Sequence, residues 1–357
     1  DVCSSDLPFF DADSSTDGGA LPRFYNLANW LHADTNEDFL RGELLFGVGE
    51  CYDPFLVDES ERLIRQLAFI DRVEIATEPQ PDGSVQVVVE TWGRWTLQPE
   101  VRVRLEEGLD FTGLDITEKN LLGRGMAVRG FFRDNRERRA LGGSFAATRL
   151  LGTRWDTGLE ASRTRVGNSF QQGFFYPFVG EVGRYAAVQS FVRQEDFFAY
   201  NLPEGGTYTH VVQPFRQRSS QITVAGRVGR PGRLSILGVG LSREKWEYTT
   251  VAEGAELVQN RDFGNAEPAP PEISVILVPQ LRDYSTTRVN LVLAQRNLSF
   301  QRRNRLDALR GVQDVPVGGE MALVLGRSSP FFGSNAANED SDFFGRVRLF
   351  GGLAPGR

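Results

Sequence analysis

The sequence is poor in the residues from which most active sites are built: its 357 residues include only 2 His, 2 Cys and 2 Met. His32 and His210 each stand alone, so neither a local acid–base pair nor a zinc motif of two histidines on one helix can form. No serine lies in a Gly-x-Ser-x-Gly elbow. Gly47-Val48-Gly49 and Gly238-Val239-Gly240 lack the third glycine of a dinucleotide loop and read as turn or strand glycines. No catalytic residue, cofactor or metal is therefore expected. Cys3 and Cys51 do not make a disulfide framework, one lying in the leader and the other beside a helix start.

Positive charge in excess is missing too. With 40 Lys+Arg against 47 Asp+Glu the net charge is −7, and the basic residues are scattered among acidic ones. That leaves no field for a phosphate backbone, so nucleic acid is not an expected partner. Nor is there a run of about 18 apolar residues, the length a membrane-crossing helix needs. The best run, Ile273 to Leu281, is broken by Ser274 and Pro279. Strands of a membrane barrel remain possible, because each needs only about 9–11 residues with apolar side chains at alternate positions. There is no initiator Met and no signal peptide, so the chain reads as processed or as a fragment.

What is plentiful is Gly (38) and Phe (26), which favour turns and sheets. Residues 1–22, rich in Asp, Ser and Gly without period, read as a flexible leader. From residue 23 to 97 the pattern is strand, helix, helix, strand, strand. Phe24 to Leu31 is the first strand candidate. Thr35 is placed to cap the following helix, with Asp38 returning a bond, and Phe39, Leu40, Leu44 and Leu45 supply its apolar face. Gly47 and Gly49 are expected to stop it. Asp53-Pro54 starts a second helix as N-cap and first residue, with Leu56, Ser60, Leu63, Ile64 and Leu67 as the buried stripe. Val73 and Ile75, a Pro81-Asp82-Gly83 turn, then Val85, Val87 and Val89 make a hairpin.

From Trp95 onward the period changes to alternation. Trp155, Thr157, Leu159 and Ala161 face away from Asp156, Gly158, Glu160 and Ser162. Ile222, Val224 and Val228 likewise oppose Thr223 and Arg227, and Met321, Leu323 and Leu325 oppose Glu320 and Ala322. Long polar loops near Val251–Glu272 and Ser334–Ser341 alternate with tight turns, the asymmetry of outer-membrane barrels. A charged face opposite an apolar one suits a lumen opposite lipid.

Two stretches resemble a known family. Asn29-Trp30-Leu31-His32, Leu44 through Asp53, and Glu59 through Ile70 resemble a POTRA (polypeptide-transport-associated) domain. Glu118-Lys119 followed by Asn120, Leu121, Leu122, Gly123, Arg124 and Gly125 resembles the turn early in the barrels of BamA/TamA-like outer-membrane proteins. Cys51, where Asp is usual, and Trp92-Gly93, where a charged pair is usual, depart from the pattern. Val128-Arg129-Gly130-Phe131 is spelled like the family's VRGF loop but stands directly after the turn motif, and Arg129 is read as an ordinary strand residue.

The resemblance implies an α+β POTRA domain of order β-α-α-β-β over 23–97. It implies an all-β antiparallel transmembrane barrel over 98–357, incomplete against a family norm of 16 strands, with about 12–14 expected here. It implies assembly or translocation of proteins at the outer membrane of a Gram-negative cell, with the POTRA domain in the periplasm. Expected partners are unfolded outer-membrane or secreted clients, the bilayer and lipopolysaccharide, and periplasmic accessory proteins. Arg72, Val73, Glu74, Ile75, Ala76, Thr77 and Glu78 would be the edge at which a client segment adds as a strand. Glu100, Val101, Arg102, Val103, Arg104 and Leu105 would form one side of the barrel seam. Rival readings are a two-partner secretion transporter, the C-terminal barrel of a patatin-like lipase with its enzyme upstream, and a passive porin. Arg302, Arg303 and Arg305 are expected at the barrel rim or against lipopolysaccharide.

Overall fold

The computed structural model describes residues 2–4, 34–105, 108–135, 138–165, 167–202, 208, 210–248, 255–259, 266–273, 283–304, 312–329, 331 and 342–354. The elements form a small α/β unit followed by one large antiparallel sheet.

The α/β unit contains strand β1 (Val2–Ser4), helix α1 (Glu37–Glu43), helix α2 (Pro54–Arg65), β2 (Ile70–Pro79) and β3 (Val85–Gly93). Its sheet has the order β1-β3-β2, with β1 parallel to β3 and β2 antiparallel to it. Asp53 caps α2 through its side chain and Pro54 opens it, as expected. The cap of α1 is Asn36, not Thr35: the Asn36 carboxamide accepts from the amides of Asp38 and Phe39. Thr35 is buried instead, and its hydroxyl accepts from Asn120 Nδ2 at 3.0 Å. Helix α1 also ends at Glu43, before Gly47, because Leu44 already has extended backbone angles.

Phe39, Leu40, Ile64, Phe69, Ile70, Val73 and Val89 form the core of the unit, with Leu44, Leu67, Ile75 and Val87 against it. The stripe on α2 is turned slightly from the expected one. Val57, Ser60 and Ile64 are buried, whereas Leu56 and Leu63 are only half-buried. The reason is that α2 is covered on two sides, and its second contact buries Glu59, Glu61 and Arg62. The first strand expected at Phe24–Leu31 lies outside the described residues. Val2–Ser4 pair with Val89–Thr91, so the leader is not unstructured at its start; an uncovered edge of β3 readily accepts another strand.

The large sheet has 14 strands. Its continuous path runs through β4 (Leu97–Leu105), β5 (Leu109–Leu121), β6 (Met126–Asn135), β7 (Arg138–Ala147), β8 (Asp156–Thr164), β9 (Asn168–Tyr176), β10 (Tyr185–Asn201), β11 (His210–Arg230) and β12 (Arg233–Glu247). The short β13 (Glu256–Val258) and β14 (Glu267–Pro268) branch from β11. The path resumes with β15 (Tyr284–Asn304), β16 (Val312–Ser328) and β17 (Phe343–Gly352). Each strand of the path pairs with the next along the chain, and the sheet is open, with β4 at one edge and β17 at the other.

The up-and-down order sorts the connections into two ends. Links 122–125, 148–155, 177–184, 231–232 and 305–311 share the end at which β3 leads into β4, the linker end. The connections across 248–283 and 329–342 lie at the opposite, long-loop end.

The two faces differ in kind. One presents Leu159, Ile222, Val224, Val228, Leu237, Val239, Leu241, Val289, Leu291 and Leu293, all exposed large apolar side chains. The other carries Asp115, Phe131, Arg227 and Asn290, all buried. A single cavity is lined by residues of all seven strands from β4 to β10, so the sheet curls with the polar face inside. On β11 the apolar band lies between Ser220 and Arg230, ten residues apart. At about 3.4 Å per residue and a tilt of about 40° its height is roughly 26 Å.

Candidate functional site

The site is built from two strand edges, one turn and the mouth of the curled sheet at the linker end. Among the described residues strand β2 pairs with β3 alone, so Arg72–Glu78 stand last in the described strand order. Val73 is buried and Ile75 packs on the core, while Arg72, Glu74, Ala76, Thr77 and Glu78 are exposed. What this edge offers is its main chain, since its apolar side chains are already used.

Strand β4 pairs only with β5 among the described residues. Opposite Arg102 and Val103 the partner strand carries one extra residue, Thr112, a bulge that interrupts the ladder. Pro99 removes one amide donor, which an edge strand tolerates. Val101, Val103 and Leu105 are exposed on the apolar face at 61%, 53% and 78%. Glu100, Arg102 and Arg104 alternate with them. Arg102 Nη2 lies 3.0 Å from Glu100 and donates at 2.8 Å to Asp115, which also accepts from Arg129 Nη2 at 3.0 Å. Arg129 is thus an inner-wall strand residue, with its guanidinium 5.1 Å from the Phe131 ring centre.

The turn motif at 120–125 is a joint between the two units. Asn120 is buried; its carboxamide oxygen accepts from the Gly125 amide at 2.8 Å and its Nδ2 donates to Thr35. Gly123 O accepts from the Asn36 amide at 2.8 Å, just before α1 begins. Leu122, Gly123 and Gly125 have φ of 58°, 68° and 64°. A Cβ on Gly123 would overlap Asp34 O, and one on Gly125 would come within 2.6 Å of the Phe39 ring. The chain needs glycine there for approach as much as for conformation. Gly125→Ala is expected to loosen α1 by about 1–3 kcal/mol, the usual cost of overpacking a filled site, read as faster amide exchange in residues 37–43.

A second contact joins α1 to the link before β8. Arg149 Nη1 donates to Gly42 O at 2.5 Å, and its Nε lies 3.6 Å from Glu43 Oε1, too far for a hydrogen bond. Burial pushes the Glu43 carboxyl up, against the attraction of Arg149 and Arg154, with Asp156 adding to the rise. Burial also holds the Arg149 guanidinium below its ordinary value. Both directions say that desolvation outweighs the attraction of this pair. The folded state therefore binds a proton at Glu43 more tightly than the unfolded state does. Stability from this group is full at acid pH and is lost as pH rises from the ordinary carboxylate value through the raised one. Glu43→Gln is expected to flatten that part of a stability–pH curve.

The third contact sets α2 against the linker end of the sheet. Helix α2 meets the link 177–184 and the β15–β16 hairpin, which continues past Arg233, the last residue of β12 to pair with β15. Arg65 Nη1 donates to both oxygens of Asp314 at 2.8 and 2.6 Å, both side chains being 6% exposed, and Arg65 also pairs with Glu61. Glu59 holds Arg62 at 2.8 Å and accepts from the Glu181 amide at 2.6 Å. Glu181 accepts from the Gly232 amide and pairs with Arg296. Arg302 donates to Glu61 at 3.0 Å, and Arg62 stacks 4.2 Å above the Phe300 ring.

These charges were not singled out by the sequence reading, which named the apolar stripe of α2 alone. Only the spacing Glu59–Arg62 and Glu61–Arg65 hinted at a structured face. Arg302, two residues before β15 ends, lies at the linker-end rim and belongs to this contact; Arg303 donates to Gln301, and Arg305 lies outside the described residues. Among the described residues no group of His, Cys, Asp and Glu is arranged to hold a metal ion, and Cys51 is exposed and unpaired.

No family model matches the sequence, and no curated protein matches it. Among solved structures it is similar to BamA from Haemophilus ducreyi lacking POTRA domains 1–3, at 13% identity and a TM-score of 0.34, over 85% of this chain and 47% of that one. It is also similar to CdiB from Acinetobacter baumannii, at 9% identity and a TM-score of 0.34, over 86% of this chain and 52% of that one. The chain spans about half the length of each. At that TM-score the likeness is loose and carries no conclusion about this chain.

Proposed function

We propose that this chain is part of an outer-membrane β-barrel that assembles or translocates proteins, with its α/β unit acting as a POTRA domain on the periplasmic side. The apolar band on the outer face carries the reading. Its height of roughly 26 Å matches the belt of about 25 Å expected where strands cross hydrocarbon, and polar residues bound it above and below. A sheet that crosses a bilayer must satisfy its backbone polar groups, so the open edges β4 and β17 call for a partner strand. In this reading β4, which carries a proline and lies opposite the bulge in β5, is the side of the seam that yields. The β2 edge receives an extended client segment through its main chain, and the linker-end mouth lies beside it.

The test expresses the full chain in a Gram-negative cell with a photo-crosslinking residue at Thr77 or at Asp82. The chain is expected in the outer-membrane fraction, resistant to extraction by urea, with unfolded outer-membrane proteins crosslinked from Thr77 and not from the turn at Asp82. Recovery in the urea-soluble fraction would remove the barrel reading. Equal crosslinking from both positions would remove the strand-addition reading.

A further inference from the structure

The outer face carries a groove of about 710 Å³ near the linker end, running across β11, β12, β15 and β16. The register explains its composition. One rung across the sheet is apolar: Gly226, Leu237, Leu293 and Leu323. The next toward the linker end is mixed, with Val228, Ser235, Gln295 and Met321, and Ser235 meets its own polarity by donating to Gln295 at 2.7 Å. The third is polar: Arg230, Arg233, Asn297 and Gly319. Gly226 has no side chain, and the gap it leaves between Tyr185 and Leu237 deepens the groove. Tyr185 also continues an outward aromatic row with Tyr176 and Trp155, whose rings meet edge to face at 5.5 Å. Such a girdle marks the level at which hydrocarbon gives way to headgroups.

Arg230 and Arg233 close the β11–β12 hairpin directly opposite one another, both exposed, and Arg184 borders the groove. Among the described residues none of these three guanidinium groups has an acceptor. Glu181, which accepts from the Gly232 amide in the same turn, is buried and paired with Arg296. Like charges placed directly across a strand pair repel, and an anion between them turns that repulsion into attraction. We propose that this groove holds one phospholipid of net negative charge, with its acyl chains against Leu237 and Leu293 and its phosphate between Arg230 and Arg233. Forked guanidinium donors suit the several oxygens of a phosphate. The change from apolar to mixed to cationic over three rungs follows such a lipid from chain to headgroup. A zwitterionic headgroup fits less well, because the arginine rung holds no carboxylate to receive its ammonium. The inference rests on the reading of the outer face as a lipid-facing one.

The full chain, folded into vesicles and then carried into non-ionic detergent, is given equal amounts of phosphatidylglycerol and phosphatidylcholine, and native mass spectrometry counts the lipids retained. One phosphatidylglycerol per chain is expected in preference. Replacing both arginines, Arg230→Gln with Arg233→Gln, should weaken its retention about thirtyfold, at roughly fivefold for each basic residue beside an anionic lipid. Gly226→Leu keeps every charge and fills the groove; a Cβ there meets only Arg184 O, at 3.9 Å, so the backbone accepts it. That variant should lose the lipid as well. Arg243→Gln removes an exposed charge from β12 away from the groove and should bind as the parent does. Retention unchanged by Gly226→Leu would mean that charge alone attracts the lipid and would overturn the site, as would equal loss in Arg243→Gln. If the chain resists urea extraction yet does not prefer phosphatidylglycerol, the site falls and the barrel reading stands; extraction by urea removes both.

Discussion

Arg65→Met is expected to release α2 from the β15–β16 hairpin at a cost of about 3–5 kcal/mol, the range for breaking a buried ion pair from one side. The cost arises on the partner. Asp314 is left 6% exposed without the Nη1 donor that its two oxygens share, and Glu61 loses one of its two cations. The double variant Arg65→Met, Asp314→Leu removes both charges and should recover most of the loss, because matched apolar replacements of buried pairs are often neutral. Hydrogen exchange of the α2 amides in the full chain provides the readout. At about 1.4 kcal/mol per factor of ten, the single variant should exchange at least a hundredfold faster. If the single variant exchanges like the parent, the contact does not hold the unit on the mouth.

Leu159→Arg should cost about 2–4 kcal/mol and impair membrane assembly, whereas Glu160→Arg should be tolerated. Leu159 is 37% exposed on the outer face, between Trp155 and Arg163, and pairs across to Phe145 and Gln172. Glu160 points to the inner wall. The neighbouring outward residue Thr157 shows how this face handles polarity: its hydroxyl donates to Gly173 O at 3.1 Å and is 6% exposed. An arginine at 159 has no such local acceptor. Heat-modifiable migration of each variant after folding into vesicles measures the outcome, and equal yields at both positions would contradict the assignment of faces.

The alternating strands were legible because one side of each is apolar and exposed while the other is polar and covered. Ile222, Val224 and Val228 fall on the exposed face and Arg227 on the buried one, as their order alone implies. The Asp53-Pro54 start and the hairpin turn at 81–83 were legible for a similar reason, since each depends on residues within one turn. The Thr35 assignment failed because a residue 85 positions away, Asn120, competes for its hydroxyl, leaving Asn36 as the cap. The buried charges of α2 were missed for a like reason. An i,i+3 or i,i+4 pair looks the same on a solvated face as beneath another element, and nothing local announces that Asp314 will cover Arg65.

That separation also bears on the order in which the molecule is built. Neighbouring strands of the large sheet are joined by hairpins, and contacts this local close rapidly. The Arg65–Asp314 contact spans 249 residues, so its loop entropy must be met before it gives anything back. Helix α2 is complete long before its cover exists, and through that interval Glu61 and Arg65 remain solvated charges. Docking of α2 on the hairpin is thus expected to wait until β15 and β16 have paired, so the linker-end contact joins the two units only after most of the sheet is made.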